Sequence, residues 1–491
     1  TGLAICRHST ERCEAMTVVP MSHDELQELL NKSIGDYGVP GAAVGVATMG
    51  DGAPRFETAW AGVTNQAVGY PVIGDTLFQI GSISKIFTTM LAMQLVDEGR
   101  LSLDTRVKDV LPGFRVIGAP DVTEGCTIRH LMCHTSGIEG DAFPDNLGCG
   151  DDCVAQYVDY IGTFPARSAL GGPLSYSNGA FVVLGRVIEV LRGMIWDDAV
   201  RTYIAKPAGL GHVWTLPEDV LRFSAALGHQ RAVSTGEQVF PAPVAPSPVW
   251  NLPRCTGPCG LISASVGDLL KFVSVFLNDG VAPNGSRLLS TQSVELMTRE
   301  QVSLRDQGIE NIGWALGWSL PNWGSEPAFG HGGATEGQRA NAVVFPRRKL
   351  AIVTLTNADA GTQMAAHIAR TVAKRVAGVE APPAVTLTGD AITSDEATAF
   401  LGGYAREGEA FRFEAGGPTG VMAVIEPDAD DGPMGARITV PLHHTGQGFY
   451  AVQRPDRREP TEIAFLHVPV SPRAPFGVYA AMGHRITPRV K

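Results

Sequence analysis

A serine and a lysine stand three residues apart in the run Ser82-Ile83-Ser84-Lys85. Residues at i and i+3 of a helix lie on one face, with Cβ atoms about 5–6 Å apart. A serine hydroxyl attacks a carbonyl carbon only when a neighbouring base takes its proton, and a partly desolvated lysine can be neutral enough to do this. The pair therefore predicts a hydrolase that forms an acyl-enzyme on Ser82.

The residues around this pair have the pattern of a helix that begins near Ser82. Apolar residues recur at the 3, 4, 7, 8 spacing of one helix face, at positions 83, 86, 87, 90, 91 and 95, and Gly99 supplies a stop. A serine three residues before a lysine is more often a helix N-cap beside a solvated amine. Against that alternative, the run 78–81 reads as a buried strand or turn, and no other S-x-x-K occurs in the chain.

Two further polar motifs could bring partners to this pair. Tyr176-Ser177-Asn178 is the only Y-x-N among the nine tyrosines, and it opens an apolar, helix-like run at 181–188. His331-Gly332-Gly333 precedes a strand-like run at 342–345. Glycines in a strand allow a substrate to approach the backbone closely. The two motifs predict a polar site shared with Ser82 and Lys85.

The three motifs together resemble those of the penicillin-recognising serine enzymes, which are S-x-x-K, an S-D-N-like element and K-T-G. Three longer stretches extend the resemblance. Residues 127–138 are similar to T-I-R-H-L-L-T-H-T-S-G-L, and residues 330–337 are similar to G-H-G-G-x-x-G. Residues 174–178 are similar to F-S-Y-S-N-x-G, although Gly179-Ala180 stands where the family has x-G. The chain resembles the serine β-lactamase and penicillin-binding-protein-like superfamily over about residues 22–375. The resemblance is to its class C branch of esterases, D-aminopeptidases, DD-peptidases and penicillin-binding-protein-type thioesterases.

The resemblance implies a role for each motif residue. Ser82 is the nucleophile, and either Lys85 or Tyr176 is the base that takes its proton; the pair could also titrate as a unit. Asn178 orients Lys85 or a substrate amide. The backbone N–H groups of Ser82 and Ala334 hold the oxyanion, where loss of one donor typically costs about 10²–10³ in rate.

His331 is a departure from the β-lactamase pattern, which has a lysine at this position. A fixed cation there can hold a substrate carboxylate, whereas a histidine near pH 7 is mostly neutral. The resemblance with His331 in place therefore favours simple esters, amides or N-terminal D-residues over β-lactams. Gly332 and Gly333 complete the predicted substrate-binding edge.

Three functions follow from these residues. The first is a serine hydrolase that cleaves an ester or amide bond, of the esterase or amidase kind. The second is a D-stereospecific peptidase, or a thioesterase and peptide cyclase of the penicillin-binding-protein type, which passes the acyl group to an amine. The third is a penicillin-binding sensor or scaffold that is acylated without turnover; Tyr176, Asn178 and His331 argue against it, because a pure binder needs no deacylation apparatus.

Composition fits a large enzyme that acts on small-molecule or peptide substrates. Of 491 residues, 44% are hydrophobic and 18% charged, which is typical of a globular chain. The net charge of −11 argues against a nucleic-acid partner. No apolar run is long enough for a membrane span, and no signal-peptide core is visible, so we expect a soluble protein, in the cytoplasm rather than secreted. The sequence leaves the oligomeric state open.

No cofactor or metal is predicted. The eight cysteines fall in four local pairs, at positions 6 and 13, 126 and 133, 149 and 153, and 255 and 259. In a chain of this length we expect free buried thiols. The two C-x-x-x-C pairs have a spacing that zinc sites use, but nothing else in these loops resembles a zinc ribbon.

The order of predicted elements indicates an α+β fold, of the α/β-sandwich kind. A helix at 26–34, a hairpin at 41–47 and 56–62, strands at 342–345 and 350–356 and a helix at 365–376 would form an antiparallel sheet flanked by helices, with an all-helical subdomain inserted between its two parts. Residues 1–20 are a leader of unclear role, 21–378 the β-lactamase-like hydrolase domain, and 379–394 a linker. Short alternating runs at 395–491 predict an antiparallel β-barrel, which resembles a lipocalin-like domain.

Overall fold

The computed structural model describes residues 18–490, apart from 51–53, 232–240, 242, 251, 305–311, 384, 407–408, 427–436, 446–448, 455–458, 476 and 483. Most of the predicted leader lies outside the described residues. At its end, Val19 donates its backbone N–H to the carbonyl of Val376 at 2.9 Å. None of the helices in the described ranges is long and apolar enough to cross a bilayer.

The chain begins with the predicted helix and hairpin. Helix α1 (His23–Tyr37) has a capping box formed by Ser22 and Glu25, and it ends at Gly38 in the left-handed conformation that favours glycine. Strands β1 (Gly41–Met49) and β2 (Pro54–Gly62) follow and pair antiparallel.

The middle of the chain is mostly helical, as predicted for residues 85–300. Its short strands are β3 (Phe78–Gln79), β4 (Val213–Trp214), β5 (His229–Arg231), β6 (Val244–Pro246) and β7 (Ser263–Ala264). Its helices are α2 (Ser84–Asp97), α3 (Val107–Val110), α4 (Pro120–Gly125), α5 (Ile128–Met132), α6 (Cys153–Ile161), α7 (Asn178–Arg192), α8 (Trp196–Val200), α9 (Lys206–Ala208), α10 (Pro217–Val220), α11 (Gly257–Gly260), α12 (Val266–Ser274) and α13 (Thr291–Thr298). Short 3₁₀ turns lie at Gly81–Ile83, Arg254–Thr256 and Val275–Leu277, and a π-helical turn joins α8 to α9.

The chain then returns to the sheet that β1 and β2 started. The returning strands are β8 (Val302–Ser303), β9 (Ile312–Trp314), β10 (Ser319–Pro321), β11 (Phe329–Thr335), β12 (Gln338–Phe345) and β13 (Leu350–Thr356), and helix α14 (Gly361–Ala377) follows. The strand order among the described residues is β2-β1-β13-β12-β11-β10-β9-β8, with antiparallel neighbours throughout. One face packs on α1 and α14, and the other packs on the core of the helical region. The α+β prediction is confirmed.

The C-terminal part is the predicted antiparallel barrel. A short helix, α15 (Ser394–Thr398), leads into β14 (Gly402–Arg406), β15 (Glu409–Ala415), β16 (Val421–Glu426), β17 (Ile438–His444), β18 (Tyr450–Val452), β19 (Thr461–His467), β20 (Val478–Met482) and β21 (Arg485–Pro488). These strands pair in sequence order, and a bridge between Tyr404 and Arg489 nearly closes the ring. The barrel fits a lipocalin-like description. Its core is aromatic, with Phe400 stacked on Phe465.

The cysteines of the described residues are free thiols. Five of the six are buried, and Cys149 is exposed. Burial raises the pKa of the Cys133 thiol to about 12 and that of Cys153 to about 11, so neither is a reactive thiolate at neutral pH. Cys6 and Cys13 lie outside the described residues. Among the described residues, no group of three or more His, Cys, Asp and Glu side chains is arranged to hold a metal ion; the absence of a metal stays a prediction.

Candidate active site

Ser82 lies at the junction between a buried strand and the central helix. The backbone N–H of Ile80 donates to the carbonyl of Ile262 at 2.9 Å, and this anchors the strand end before the 3₁₀ turn that carries Ser82. Helix α2 continues directly from that turn and is buried on nearly every side. The predicted helix start is therefore confirmed, and it places Ser82 half-buried at the first turn, with Lys85 fully buried one turn further on.

The amine of Lys85 has three partners. Its Nζ lies 3.1 Å from Ser82 Oγ, 2.6 Å from Asn178 Oδ1 and 2.7 Å from the carbonyl oxygen of Cys259. The amide and carbonyl oxygens can only accept, so each takes one N–H. The remaining valence of Nζ points at Ser82: protonated, it donates a third N–H, and neutral, it offers its lone pair to the serine O–H. The geometry suits a lysine that exchanges a proton with Ser82.

The Y-x-N motif begins helix α7, and the H-T-S-G loop before it holds it in place. Ser177 caps the helix by accepting the backbone N–H of Ala180 at 3.0 Å, and it donates its hydroxyl to the carbonyl of Glu139 at 3.1 Å. The backbone N–H of Asn178 donates to the carbonyl of Gly140 at 3.0 Å. A Cβ on Gly140 would lie 2.6 Å from the carbonyl oxygen of Tyr176, so only glycine permits this approach.

Two basic side chains lie close to the Tyr176 ring. Lys85 Nζ is 4.8 Å from the ring centroid, and the Arg485 guanidinium carbon is also 4.8 Å from it, within the range of cation–π attraction. The phenol oxygen is buried, and it has no hydrogen-bond partner among the described residues. The hydrogen-bonding capacity of this oxygen is therefore unused among the described residues.

The H-G-G strand packs directly against the turn that carries Ser82. A Cβ on Gly333 would lie 1.9 Å from the carbonyl oxygen of Ile80 and 3.3 Å from the Ser82 nitrogen, and a Cβ on Gly81 would lie 2.5 Å from the Ala334 nitrogen. Only glycine, which has no side chain, allows this contact. The contact brings the backbone N–H groups of Ser82 and Ala334 close together. Gly332 differs, because a Cβ there would meet nothing nearer than 3.9 Å.

This contrast predicts unequal effects of two alanine substitutions. Gly333→Ala should separate β11 from the Ser82 turn and lower kcat by about 10²–10³, the usual cost of a lost oxyanion donor. Gly332→Ala should fold with an unchanged Tm, because its methyl group has room. Thermal melts and steady-state ester hydrolysis of both variants measure this. An unchanged kcat and Tm in Gly333→Ala would contradict the prediction.

His331 is buried and neutral. Burial, with a smaller effect of the Lys85 cation, lowers the pKa of its imidazole to about 3. Its Nδ1 lies 2.5 Å from the carbonyl oxygen of Gly332; a carbonyl only accepts, so Nδ1 carries the proton and Nε2 is left as an acceptor. The ring centroid is 6.0 Å from that of Tyr176. The structure thus brings His331 beside the other predicted residues, without the charge of a lysine.

Several residues at this site were not assigned a function from the sequence. His134 has a positive φ of 58° and places its ring 4.2 Å from Tyr176, while its Nδ1 accepts the Ser177 N–H at 3.0 Å. It lies in the stretch at 127–138 that resembles the family's sequence, and this resemblance was the one signal available. Trp314 packs edge-on against both His134 and His331.

The barrel also contributes to the site. The backbone N–H of Tyr176 donates to the carbonyl of His484 at 2.8 Å, and the His484 ring lies 5.3 Å from that of Trp314. Arg485 donates two hydrogen bonds to Asp141, which in turn accepts one from Asn178. The loop between β20 and β21 therefore lies against the Y-x-N motif.

The imidazoles of His134, His331 and His484 give a pH dependence to the stability of the site. Burial, with a smaller effect of the Arg485 cation, lowers the pKa of His484 to about 4. Burial also holds the pKa of His134 well below its ordinary value. An unfolded imidazole titrates near 6.5. Between that pH and the folded-state pKa, the unfolded chain binds more protons, so the free energy of unfolding is highest above pH 6.5 and falls as pH decreases.

We expect Tm to decrease from pH 7 to pH 5, with each such imidazole contributing a slope of at most about 1.4 kcal/mol per pH unit. His484→Gln should show a shallower decrease than the wild type. The exposed His23 provides a matched control, and His23→Gln should keep the wild-type slope. A wild-type Tm that is constant between pH 7 and pH 5 would rule out this assignment.

The chain is similar in sequence and in fold to several known proteins. The Beta-lactamase family model matches residues 25–377. Penicillin-binding protein 4 of Amycolatopsis lactamdurans is 39% identical over 395 residues, which cover 80% of this chain and 100% of that protein. The crystal structure of SurE has a TM-score of 0.71 at 22% identity, over 95% of this chain and 99% of that one. The D-amino acid amidase of Ochrobactrum anthropi, complexed with L-phenylalanine, has a TM-score of 0.58 at 21% identity, over 72% of this chain and 99% of that one.

Proposed function

The chain belongs to the beta-lactamase family of serine hydrolases and penicillin-binding proteins, and from this membership we propose that it cleaves an ester or amide bond through an acyl-enzyme on Ser82. The observation that carries the proposal is the hydrogen bond between Lys85 Nζ and Ser82 Oγ. Two other acceptors occupy two N–H groups of the amine, so its remaining valence is committed to the serine.

In the acylation step, Ser82 Oγ attacks the carbonyl carbon of the substrate, and its proton passes to Lys85 Nζ. The carbonyl π electrons move to oxygen, and the resulting oxyanion accepts hydrogen bonds from the backbone N–H groups of Ser82 and Ala334. These donors are fixed before the reaction by the contact of Gly81 and Gly333 with the opposite backbone, which is why they stabilise developing charge efficiently.

Tyr176 then serves the leaving group. Its buried phenol, which has no partner among the described residues, donates a proton to the departing oxygen or nitrogen as the bond to carbon breaks. After the leaving group departs, Tyr176 is a phenolate and Lys85 keeps the proton that it took from Ser82. In deacylation the same groups act in reverse: a water loses its proton to Tyr176, attacks the acyl carbon, and Ser82 leaves with the proton held by Lys85. Asn178 keeps Lys85 in place through both halves.

The substrates of this family are small molecules or peptides. The neutral His331 further limits the chemical class of substrate that the site would bind. A neutral imidazole cannot hold a substrate carboxylate as a fixed cation does. Arg485, the barrel cation beside the Tyr176 ring, is already bound to Asp141. Esters, amides and acyl groups without a free carboxylate at this position are therefore the proposed substrates.

A second candidate function is transfer or hydrolysis of a D-configured acyl residue, as a D-peptidase or a thioesterase and peptide cyclase. The fold shared with a D-amino acid amidase, and with SurE, which has been solved with D-Leu, supports testing it. A third candidate, acylation without turnover, is the function of a sensor.

Intact-protein mass spectrometry after mixing with p-nitrophenyl butyrate, combined with turnover assays on that ester and on D-alanyl and L-alanyl p-nitroanilides, separates the three. A butyryl mass on the Ser82 peptide with ester turnover supports the proposal. D-selective anilide cleavage, or an amide product when an amine is added, supports the second candidate. A stable acyl-enzyme without product release supports the third, and absence of any acyl mass on Ser82 rejects all of them.

A further inference from the structure

Asp141 joins the catalytic residues to the barrel. Its Oδ1 accepts a hydrogen bond from Asn178 Nδ2 at 3.0 Å and one from Arg485 Nη2 at 2.8 Å. Its Oδ2 accepts from Arg485 Nε at 2.7 Å and from Arg406 Nη1. A single carboxylate thus binds the amide that contacts Lys85 on one side and two barrel guanidinium groups on the other.

The loop that carries Asp141 is itself held rigidly. The Glu139 carboxylate accepts the backbone N–H of Asp141 at 3.0 Å and that of Gly140 at 2.7 Å. Glu139 is buried and forms an ion pair with Arg167. Because its backbone is fixed, Asp141 can impose a direction on the groups that it binds.

The direction matters for Asn178, because a primary amide can present either its oxygen or its NH₂ group to a neighbour. Asp141 accepts from Nδ2, so the amide oxygen must face Lys85, and the Nζ–Oδ1 distance there is 2.6 Å. With the amide reversed, the NH₂ group would meet the lysine amine, and one of the two acceptors that orient Nζ would be lost.

The barrel supplies the charges that keep Asp141 ionised. Burial raises the pKa of its carboxyl, but Arg485 and Arg406 together lower it below its ordinary value. Arg406 ends β14, Arg485 begins β21, and these strands meet where the barrel closes. Both cations therefore come from one docked edge of the barrel.

We propose that Asp141 is a positioning residue through which the docked barrel, by way of Arg406 and Arg485, sets the orientation of Asn178 and thereby of Lys85. The inference rests on the proposed acyl-enzyme chemistry and deepens it, because it makes the barrel a part of the acylation machinery. A barrel that only covered the cleft would change which substrates enter, and would leave the rate of acylation of bound substrate unaltered.

The test measures kcat, KM and the single-turnover acylation rate on p-nitrophenyl butyrate for the full-length chain. Asp141→Ala should lower the acylation rate by about 10- to 100-fold, the scale expected when a reacting group loses its orientation, with little change in KM. In an Asn178→Ala background, the same Asp141→Ala substitution should change the rate by less than about 2-fold, because a positioning residue has no effect once the group it positions is absent.

Asp121 provides the matched control. It is also a carboxylate of the catalytic part bound by a barrel arginine, since Arg473 donates to its two oxygens at 2.6 and 2.9 Å, but it contacts none of the predicted catalytic residues. Asp121→Asn removes a comparable link between barrel and catalytic domain, and the acylation rate should stay within about 3-fold of the wild type.

Three results would overturn the inference. The first is an unchanged acylation rate in folded Asp141→Ala, the second is an equal loss in Asp121→Asn, and the third is a full additional loss in the Asn178→Ala background. If Asp141→Ala does not fold, Arg485→Gln and Arg406→Gln are measured against Arg473→Gln in the same way. Failure of the proposed function is seen separately, because the wild type would then form no acyl-enzyme on Ser82, and the positioning inference would fall with it.

Discussion

We expect Ser82→Ala to lower the turnover of p-nitrophenyl butyrate by at least about 10⁴-fold, the scale seen when a serine hydrolase loses its nucleophile. The reason is geometric. In the part of the chain that the structure describes, Ser82 is the only hydroxyl hydrogen-bonded to the Lys85 amine, so no neighbouring group can replace it. Residual activity should come only from the oxyanion donors and substrate binding. Steady-state assays and the absence of a butyryl mass both measure the loss.

Ser84→Ala is the matched control for this experiment. Ser84 is two residues away, and its Oγ accepts the backbone N–H of Ile262 at 3.0 Å, which is a structural bond next to β7. This variant should lose about 1 kcal/mol of stability and still form the acyl-enzyme. If Ser82→Ala retained wild-type turnover while Ser84→Ala lost it, the nucleophile would be assigned to the wrong serine.

We expect Lys85→Met to lower the acylation rate by about 10³-fold, which is within the usual contribution of a general base to the rate. Methionine fills the buried space with little change in volume but cannot exchange a proton with Ser82. Lys85→Arg should be about equally impaired, because a guanidinium stays protonated and cannot act as a base. The pre-steady-state release of p-nitrophenol measures the acylation step directly.

Tyr176→Phe separates the two bases that the sequence left open. If Lys85 takes the Ser82 proton, Tyr176→Phe should slow release of a poor leaving group such as an anilide more than release of p-nitrophenolate, which needs little protonation. Wild-type acylation in Lys85→Met, together with loss of acylation in Tyr176→Phe, would reverse the assignment and make the phenol the base.

The centre of the site was predictable because its motifs are local. Ser82 and Lys85 share one helix turn, the cap of α7 follows directly from the residue types at 177 and 178, and the glycines at 332 and 333 precede an apolar run. Their meeting in space followed only from the family resemblance. The local hydrophobic pattern does not indicate that a loop near residue 178 approaches the helix that begins near residue 84.

The one-sided apolar pattern expected for α2 was incomplete, because the helix is buried on nearly all sides. Its polar residues are not solvent-facing. Thr88 donates to the carbonyl of Pro258 at 2.7 Å, and Gln94 donates to the carbonyls of Tyr203 and Leu288. Each of these hydrogen bonds is made to a segment distant in sequence, which a local pattern cannot indicate.

Asp141, His484 and Arg485 were unpredictable for a related reason. Each lies in a segment with no distinguishing spacing. The contacts of Arg485 with Asp141 and of His484 with Tyr176 form only when the barrel packs on the catalytic part. Arg485 resembles any surface arginine beside a short strand until Asp141 and Tyr176 are placed next to it. The sequence indicated a barrel but did not indicate which face of the barrel packs against the catalytic part.

The hydrogen bond from Tyr176 to the carbonyl of His484 joins positions about three hundred residues apart in the chain. Contacts of such long sequence separation carry a large loop-closure cost and form late in folding. The backbone hydrogen bonds within helices such as α2 and α7 are local and can form early. During refolding, the helical circular dichroism signal should then recover before hydrolytic activity. The delay between the two recoveries would measure how long the barrel takes to pack against the catalytic part. The recovery of hydrolytic activity would thus report on the last step of folding.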